Sequence, residues 1–101
     1  MEVSVPIFAS EINGSIDDIK REYKSFYKGD IIKFSDKADE DGFMSAAKFA
    51  GRDDMEISVF GNEERIMLTS RFDNLGKGAS GAAIQNMNIV TCALEGAGLN
   101  Y

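Results

Sequence analysis

Residues 55–72 decide the fold, and they read MEISVFGNEERIMLTSRF. Apolar and polar side chains alternate over 55–59 and again over 66–72, which is the period-2 pattern of a half-buried strand. Residues 61–64 lie between the two runs and carry the glycine and asparagine that favour a tight turn. The stretch therefore predicts a β-hairpin, which is the clearest β-structure in the chain.

Two further strands are predicted before the hairpin. Residues 3–7 alternate in the same way, and Pro6 has no N–H to donate to a neighbouring strand. We therefore expect this strand at an edge of the sheet, or bulged at the proline. Residues 31–34 form a short second strand, and the acidic residues 35–42 are expected to form a solvated loop. Residues 43–51 fit either a short helical turn or a loop.

The first of two predicted helices begins after Ser15. Ser15 is a typical N-cap residue, and Asp18 three positions later completes a carboxylate form of the capping box. Gly29 stands where a C-cap glycine belongs. The apolar stripe of this helix consists of Ile16, Ile19, Tyr23, Phe26 and Tyr27.

The second predicted helix closes the chain over about 77–94. Its apolar stripe consists of Ala79, Ala83, Met87, Val90 and Leu94, and Gly96 and Gly98 are expected to end it. Two helices on a small, mainly antiparallel sheet define an α+β fold. A chain of 101 residues has room for one such domain, covering residues 1–101.

The charge balance argues against two classes of partner. The chain has 17 acidic and 11 basic residues, which gives a net charge of −6. Binding to nucleic acid or to an anionic membrane surface requires cationic surface, so neither partner is expected. The N-terminal residues lack the basic and long apolar regions of a signal peptide, and we expect a cytoplasmic protein.

The residue types needed for catalysis are scarce. The chain has no histidine, so it has no histidine-dependent triad and no histidine metal ligand. Cys92 is the single cysteine, and no histidine or lysine within a helical turn would lower its pKa. We interpret Cys92 as a small buried residue. No catalytic residue and no metal ligand is therefore assigned.

Residues 76–81 match the pattern G-x-G-x-x-G after a strand and at the start of a helix. A dinucleotide fingerprint would need a further parallel strand after that helix, and none is predicted. A P-loop is excluded as well, because Gly78 rather than serine or threonine follows Lys77. The five small residues 79–83 let another surface approach the backbone closely. This surface is either a packed element of the protein or a ligand at the helix N-terminus.

Amide side chains accompany the small residues. They are Asn74, Gln85, Asn86 and Asn88. One interpretation is that they cap and connect elements of the fold. The other is that they recognise a carboxamide or a substrate amide.

Residues 72–88 closely resemble the C-terminal signature of the N-acetyl-gamma-glutamyl-phosphate reductase family. Asp-Asn-Leu-x-Lys-Gly-Ala is shared with the related aspartate-semialdehyde dehydrogenases, which are distant relatives of the phosphorylating glyceraldehyde dehydrogenases. The Gly-Ala-Ser-Gly and Gln-Asn-Met-Asn runs point to the reductase. Residues 56–64 are similar to the strand and turn before this signature in the shorter subtype of that family. The clear match covers roughly 42–90.

The resemblance implies that the chain is part of a catalytic and dimerisation domain of the semialdehyde-dehydrogenase type. The family uses NADPH to reduce an acyl phosphate, through a thioester on a catalytic cysteine, to N-acetylglutamate semialdehyde and phosphate. Neither the nucleotide fingerprint, nor the catalytic cysteine, nor the acid–base histidine can be placed in this sequence. The chain alone is therefore expected to be inactive and to bind NADPH weakly or not at all.

The resemblance also implies cofactor contacts and partners. Asn74 would meet the nicotinamide carboxamide, and Lys77 would supply a nearby cation. The full set of implied cofactor-binding residues is Asn74, Gly76, Lys77, Gly78, Ser80 and Gly81. The implied partners are the N-terminal nucleotide-binding domain of the parent enzyme and further copies in a homo-oligomer. Two alternatives stay open: a stand-alone, non-catalytic interaction module, and a piece of an aspartate-semialdehyde-dehydrogenase-like enzyme.

Overall fold

The computed structural model describes residues 1–101 and contains a four-stranded mixed sheet with two α-helices. The expected α+β class, with a mainly antiparallel sheet, is confirmed. The elements in chain order are β1 (Glu2–Phe8), a 3-10 turn (Ala9–Glu11), α1 (Ile16–Phe26), β2 (Ile32–Phe34), β3 (Met55–Gly61), β4 (Arg65–Phe72), a π-helical turn (Gly76–Ser80) and α2 (Gly81–Val90). The strand order is β1-β4-β3-β2, with only β2 and β3 parallel.

The edge position of β1 is confirmed, and it explains how Pro6 is tolerated. The Ala9 amide donates to the Glu64 carbonyl at 2.9 Å, so the odd-numbered residues of β1 make the bonds to β4. The missing N–H of Pro6 therefore lies on the outer edge. On the same edge the Phe8 amide donates to the Glu11 carboxylate at 2.8 Å. These two features leave few free donors for another strand.

Helix α1 begins as its cap residues predict. The Ser15 hydroxyl accepts from the Asp18 amide at 3.3 Å, and the Asp18 carboxylate accepts from the Ser15 amide at 2.8 Å. The Ser15 amide and the Ser15 hydroxyl both donate to the Asp18 carboxylate and, together with Arg21, hold the pKa of Asp18 below its usual value. The helix packs against β3, and the Tyr23 ring lies edge-on to the Phe34 ring of β2 at 6.3 Å.

The C-terminal end of α1 corrects the prediction for Gly29. Helix α1 ends at Phe26, and Tyr27 is the C-cap, whose amide donates to the Tyr23 carbonyl at 2.9 Å. Gly29 lies two residues beyond this cap and outside the left-handed region. The helix ends early because Tyr27 leaves helical geometry and packs its ring against Tyr23 and Phe26.

The predicted hairpin is confirmed, but one of its faces is polar and buried. Glu56 pairs across the strands with Arg71, and Ser58 pairs with Thr69. All four side chains are buried. Residues 38–49 cover this face. Arg71 donates to the Ala38 carbonyl at 2.6 Å and to the Ser45 carbonyl at 3.2 Å, and Lys48 forms an ion pair with Glu56. For residues 43–51 the sequence allowed either a short helical turn or a loop. In the structure they form turns, and the Phe49 side chain is buried.

Helix α2 differs from the predicted closing helix at both ends. The chain enters it through the π-helical turn, and the helix ends at Val90 rather than near residue 94. Cys92 adopts a left-handed conformation with φ 57°, which stops the helix before Gly96 and Gly98. Cys92 is also exposed, so its interpretation as a buried residue is wrong.

The predicted apolar stripe of α2 faces solvent. Met87, Val90 and Leu94 are 58%, 82% and 84% exposed. The buried side chains of α2 are instead Gln85 and Asn88. The reason is that the chain after Cys92 folds back and supplies backbone carbonyls and a carboxylate, which match amide donors and not methyl groups.

Candidate functional site

We call residues 73–81 the signature segment. It begins at Asp73, whose carboxylate connects the segment to Gly51. This carboxylate accepts hydrogen bonds from the Gly51 amide and, at 2.8 Å, from the Leu75 amide. The Asp73 carbonyl accepts from the Gly78 amide at 2.9 Å. The amide donors, first that of Gly51, hold the pKa of Asp73 below its usual value of 3.8. Asp73 thus fixes the turn that carries Asn74.

Two glycines of the segment are explained by contact with the chain's own loop. A Cβ atom on Gly76 would lie closer than 3.0 Å to the Arg52 carbonyl oxygen, and one on Gly81 would meet the Asp53 carboxylate as closely. Gly78 faces the Phe72 ring, where a Cβ atom would lie at 3.1 Å. The surface that approaches these glycines is therefore protein, which favours the packing interpretation at these positions.

The loop at 51–53 is held in place by the last residues of the chain. The Asp53 amide donates to the Asn100 carbonyl at 2.7 Å, and the Asn100 amide donates to the Asp53 carboxylate at 2.9 Å. The Asn100 side-chain amide donates to the Gly51 carbonyl at 2.8 Å. The signature segment, the 51–53 loop and the C-terminal residues are consequently packed as one unit.

Lys77 is drawn onto α2 by a chain of side-chain hydrogen bonds. Its ammonium donates to the Gln85 side-chain oxygen, and the Gln85 amide donates to the Glu95 carboxylate at 2.6 Å. Asn88 donates to the Glu95 and Ala97 carbonyls at 2.9 Å each. Gln85 and Asn88 therefore connect elements of the fold. This agrees with the interpretation of the amides as structural and not as carboxamide-binding groups.

The outward surface of the segment consists of Asn74 and residues 78–80. Asn74 is exposed, and its side chain makes no hydrogen bond within the chain. Ser80 is exposed too, but its hydroxyl donates to the Leu75 carbonyl at 2.8 Å. Of the six implied cofactor-binding residues, the structure thus places Asn74 with free donors and an acceptor at the surface, and Gly78 beside it. Gly76 and Gly81 face the 51–53 loop, and Lys77 faces α2.

Sequence reasoning missed the residues that hold this surface. Asp53 and Asn100 are 47 positions apart, and no local pattern connects them. The glycine at position 51 was the one usable sequence signal for this loop. Its φ in the structure is 74°, a conformation that favours glycine. The structure has no group of three metal-ligating side chains placed to hold a metal ion. Nor does any helix have the length and apolar character needed to cross a bilayer.

Fold and segment together define an α+β domain whose last helix is entered through a glycine-rich turn that presents an unpaired amide.

No protein-family model matches the chain. The chain is similar to N-acetyl-gamma-glutamyl-phosphate reductases. It is 39% identical to the reductase of Brucella suis in an alignment of 98 residues that covers 89% of this chain. The identity to the reductase of Brucella ovis is also 39%, over 97 residues.

The alignment locates the similarity within these relatives. It covers 31% of the Brucella suis reductase and lies in its C-terminal part. The chain therefore spans about a third of the length of the curated relatives that it matches. The resemblance seen in residues 56–64 and 72–88 is confirmed, and it extends over most of the chain.

Proposed function

We propose that this chain is the C-terminal part of the catalytic domain of an N-acetyl-gamma-glutamyl-phosphate reductase in arginine biosynthesis. The whole enzyme is an NADP-dependent, cytoplasmic oxidoreductase that reduces the acyl phosphate to N-acetylglutamate semialdehyde and phosphate. The observation that carries the proposal is the 39% identity over 89% of the chain to proteins with this name. The same relatives favour this substrate over that of an aspartate-semialdehyde-dehydrogenase-like enzyme.

The exposed face of α2 supports a partner domain. Met87 and Val90 of α2, with Leu94 of the predicted stripe just beyond its end, are exposed, while Gln85 and Asn88 of the helix are buried. A stripe of this kind on a small domain is typical of a surface that another element covers. We propose that the N-terminal nucleotide-binding domain of the enzyme covers it, and that further copies complete a homo-oligomer.

The geometry of the segment refines the proposed cofactor contacts. Asn74 is the residue we assign to the nicotinamide carboxamide, because its donors and acceptor are free and the Asp73 hydrogen bonds hold its turn rigidly. Gly78 and Ser80 form the surface beside it. Gly76 and Gly81 support that surface through the 51–53 loop. Lys77, in the π-helical turn before α2, contributes a positive charge held against Gln85 of that helix.

The chain by itself is proposed to be inactive and to bind NADPH weakly or not at all. It contains no histidine, and Cys92 is its only thiol. Cys92 lies just beyond the C-terminal end of α2, in a left-handed conformation, and no histidine is present to act as its base. Isothermal titration of the isolated chain should show no low-micromolar affinity for NADPH.

Fragment complementation tests the proposal. The Brucella suis reductase, shortened by the part that this chain matches, is mixed with this chain, and NADPH oxidation is followed with the acyl phosphate as substrate. Neither protein alone should be active, and the mixture should be. Asn74→Ala in this chain should lower kcat/KM of the mixture by about tenfold, the value of one lost hydrogen bond to a carboxamide.

Asn13→Ala is the matched control, because Asn13 is an exposed amide in the loop before α1, outside the segment and outside α2. It should leave kcat/KM unchanged. A mixture that forms a stable complex by sedimentation but has no activity would contradict the reductase proposal and favour the non-catalytic interaction module.

A further inference from the structure

The loop between the 3-10 turn and α1 contains Asn13 followed directly by Gly14. No other asparagine of the chain precedes a glycine. Asparagine is a labile residue, because the backbone nitrogen of the next residue can attack its side-chain carbonyl carbon. A glycine presents the most accessible nitrogen for this attack, since it has no Cβ atom. The pair at 13–14 is therefore the place in the sequence where such a reaction is favoured most.

The structure leaves both reacting groups of this pair free. Asn13 and Gly14 are exposed. The Asn13 side-chain amide makes no hydrogen bond within the chain, and neither does the Gly14 N–H. No partner therefore has to be given up before the Gly14 nitrogen meets the Asn13 Cγ atom.

The free stretch is short, because the residues on both sides of it are held. On one side the Ile12 amide donates to the Ala9 carbonyl at 3.4 Å. On the other side the Ser15 amide donates to the Asp18 carboxylate at 2.8 Å. Gly14 has φ 157°, and a Cβ atom on it would lie 3.0 Å from Asp18 Oδ2. The capping box thus favours, at position 14, the residue that exposes its nitrogen.

A second acidic-type pair in the chain has the opposite arrangement. Gly42 follows Asp41, and an aspartate can cyclise onto the next nitrogen in the same way. The Gly42 amide, however, donates to the Asp39 carboxylate at 3.0 Å. This hydrogen bond holds the proton that must leave before the nitrogen can attack. The fold therefore protects the pair at 41–42 and leaves the pair at 13–14 open.

We propose that Asn13 is a self-modification site, at which the chain converts its own asparagine to isoaspartate and aspartate. The Gly14 nitrogen loses its proton to solvent and forms a bond to Asn13 Cγ, while the Cγ–Nδ2 bond breaks and Nδ2 leaves as ammonia. The product is a five-membered succinimide. The proposal does not rest on the reductase function, because it concerns only this loop.

Water completes the reaction by opening the ring. Breaking the bond from the Gly14 nitrogen to the Asn13 backbone carbonyl carbon gives isoaspartate. Breaking the bond from that nitrogen to Cγ gives aspartate. In total one water is consumed and one ammonia is released, and no atom is oxidised or reduced. Either product replaces a neutral amide by a carboxylate.

The modification acts on the start of α1. Isoaspartate carries the backbone through Cβ and Cγ, so it adds one carbon to a stretch that hydrogen bonds hold at both ends. Its charge also lies a few residues before the acidic first turn of the helix. In the isoaspartate form the amide shifts of Ser15 and Asp18 should change. The melting temperature should fall by a few degrees, the usual effect of a weakened cap.

Incubation of the full chain over several days at pH 8 and physiological temperature tests the site. Trypsin then releases peptide 1–20, in which Asn13 is the only asparagine. This peptide should gain the mass difference between a hydroxyl and an amino group and separate into two forms. Isoaspartyl methyltransferase with labelled S-adenosylmethionine should label one of them. Conversion should be at least about tenfold faster than at Asn74, which is exposed too but precedes a leucine.

Asn13→Gln is the matched control, because it keeps an exposed amide but would have to close a six-membered ring. Its peptide 1–20 should keep its mass. The same incubation in urea removes the protection of the Gly42 amide by Asp39. Isoaspartate at position 41 should then appear, whereas the rate at Asn13 should change little.

Two results would overturn the proposal. One is a peptide 1–20 that stays unchanged in the folded chain but is converted in urea, since the fold would then protect Asn13. The other is equal conversion at Asn13 and Asn74, since that would mean ordinary hydrolysis of exposed amides. Asn13 lies outside the signature segment, so the failure of this proposal and of the reductase proposal can be told apart.

Discussion

Gly81 shows at the scale of a single residue why the signature segment is rich in glycine. It has ordinary helical angles, with φ −62° and ψ −43°, so backbone freedom is not what it supplies. What it supplies is space, because the Asp53 carboxylate occupies the position of a Cβ atom. The small residue is therefore needed for the packing of the 51–53 loop onto α2.

Gly81→Ala should lower the free energy of unfolding. Alanine is favoured over glycine in a helix by about 1 kcal/mol, but overpacking against Asp53 costs about 1–3 kcal/mol. We expect a net loss of about 1 kcal/mol, measured by urea denaturation. Gly29→Ala is the control, since nothing lies within 4 Å of its added Cβ, and it should change stability by less than about 0.5 kcal/mol. A Gly81→Ala variant more stable than wild type would contradict the packing argument.

Asp73 makes stability depend on pH in a specific window. Because amide donors lower its pKa in the folded state below 3.8, its ionised form stabilises the fold at neutral pH. This contribution is complete above the unfolded pKa and is lost as the pH falls through the folded value. We expect Asp73→Asn to be less stable than wild type at pH 7, and the difference to shrink as the pH falls below about 4. Urea midpoints at pH 7 and pH 3 measure it, and a difference that stays constant would show that Asp73 does not act through its charge.

At the scale of the element, α1 is the helix whose start is set by its own residues. The reciprocal bonds between Ser15 and Asp18 give side-chain partners to two backbone amides at the start of the helix. Helix α2 has no such cap, because Ser80 is already helical and its hydroxyl bonds to Leu75. It relies instead on the π-helical turn and on the Asp73 anchor.

Ser15→Ala should cost about 1 kcal/mol of stability, the typical loss of a serine N-cap. Ser25→Ala is the matched control, because Ser25 lies in the same helix and its hydroxyl only returns to the Glu22 carbonyl at 3.0 Å. Thermal denaturation followed by circular dichroism at 222 nm compares the two variants. Equal melting temperatures for Ser15→Ala and Ser25→Ala would mean that the capping box adds nothing to the fold.

At the scale of the whole molecule, the chain buries few of its apolar side chains. Only five hydrophobic residues are buried, whereas Leu75, Val90 and Leu94 are at least 75% exposed. Exposed stripes of this size promote association, and the sheet also leaves Val3 and Val5 of β1 partly uncovered. The isolated chain should therefore associate with itself when no partner domain is present.

Sedimentation velocity at rising protein concentration tests this expectation. The double variant Val90→Glu with Leu94→Glu should shift the weight-average sedimentation coefficient toward the monomer, because two charges on the stripe disfavour its burial. Asn13→Glu adds a charge at an exposed position in the loop before α1, away from the stripe, and should leave association largely unchanged. A wild-type chain that stays monomeric at high concentration would contradict the prediction.

The sequence by itself determined the features that depend on neighbouring residues. The alternation of 55–72 specified the hairpin, Ser15 and Asp18 specified the start of α1, and Pro6 specified the edge position of β1. Residues 72–88 carried the resemblance that the comparison with the Brucella reductases confirmed. Each of these signals lies within a few positions of the feature it predicts, so no knowledge of the folded chain was required.

The tertiary structure alone decided which face of α2 points inward and which surface meets the glycines. The apolar stripe predicted to be buried is exposed, because Glu95 and Ala97 return with acceptors that only Gln85 and Asn88 can satisfy. Asp53 and Asn100 set the back of the candidate site from 47 positions apart. Contacts of this kind depend on where the folded chain brings distant segments together, and local periodicity carries no information about that.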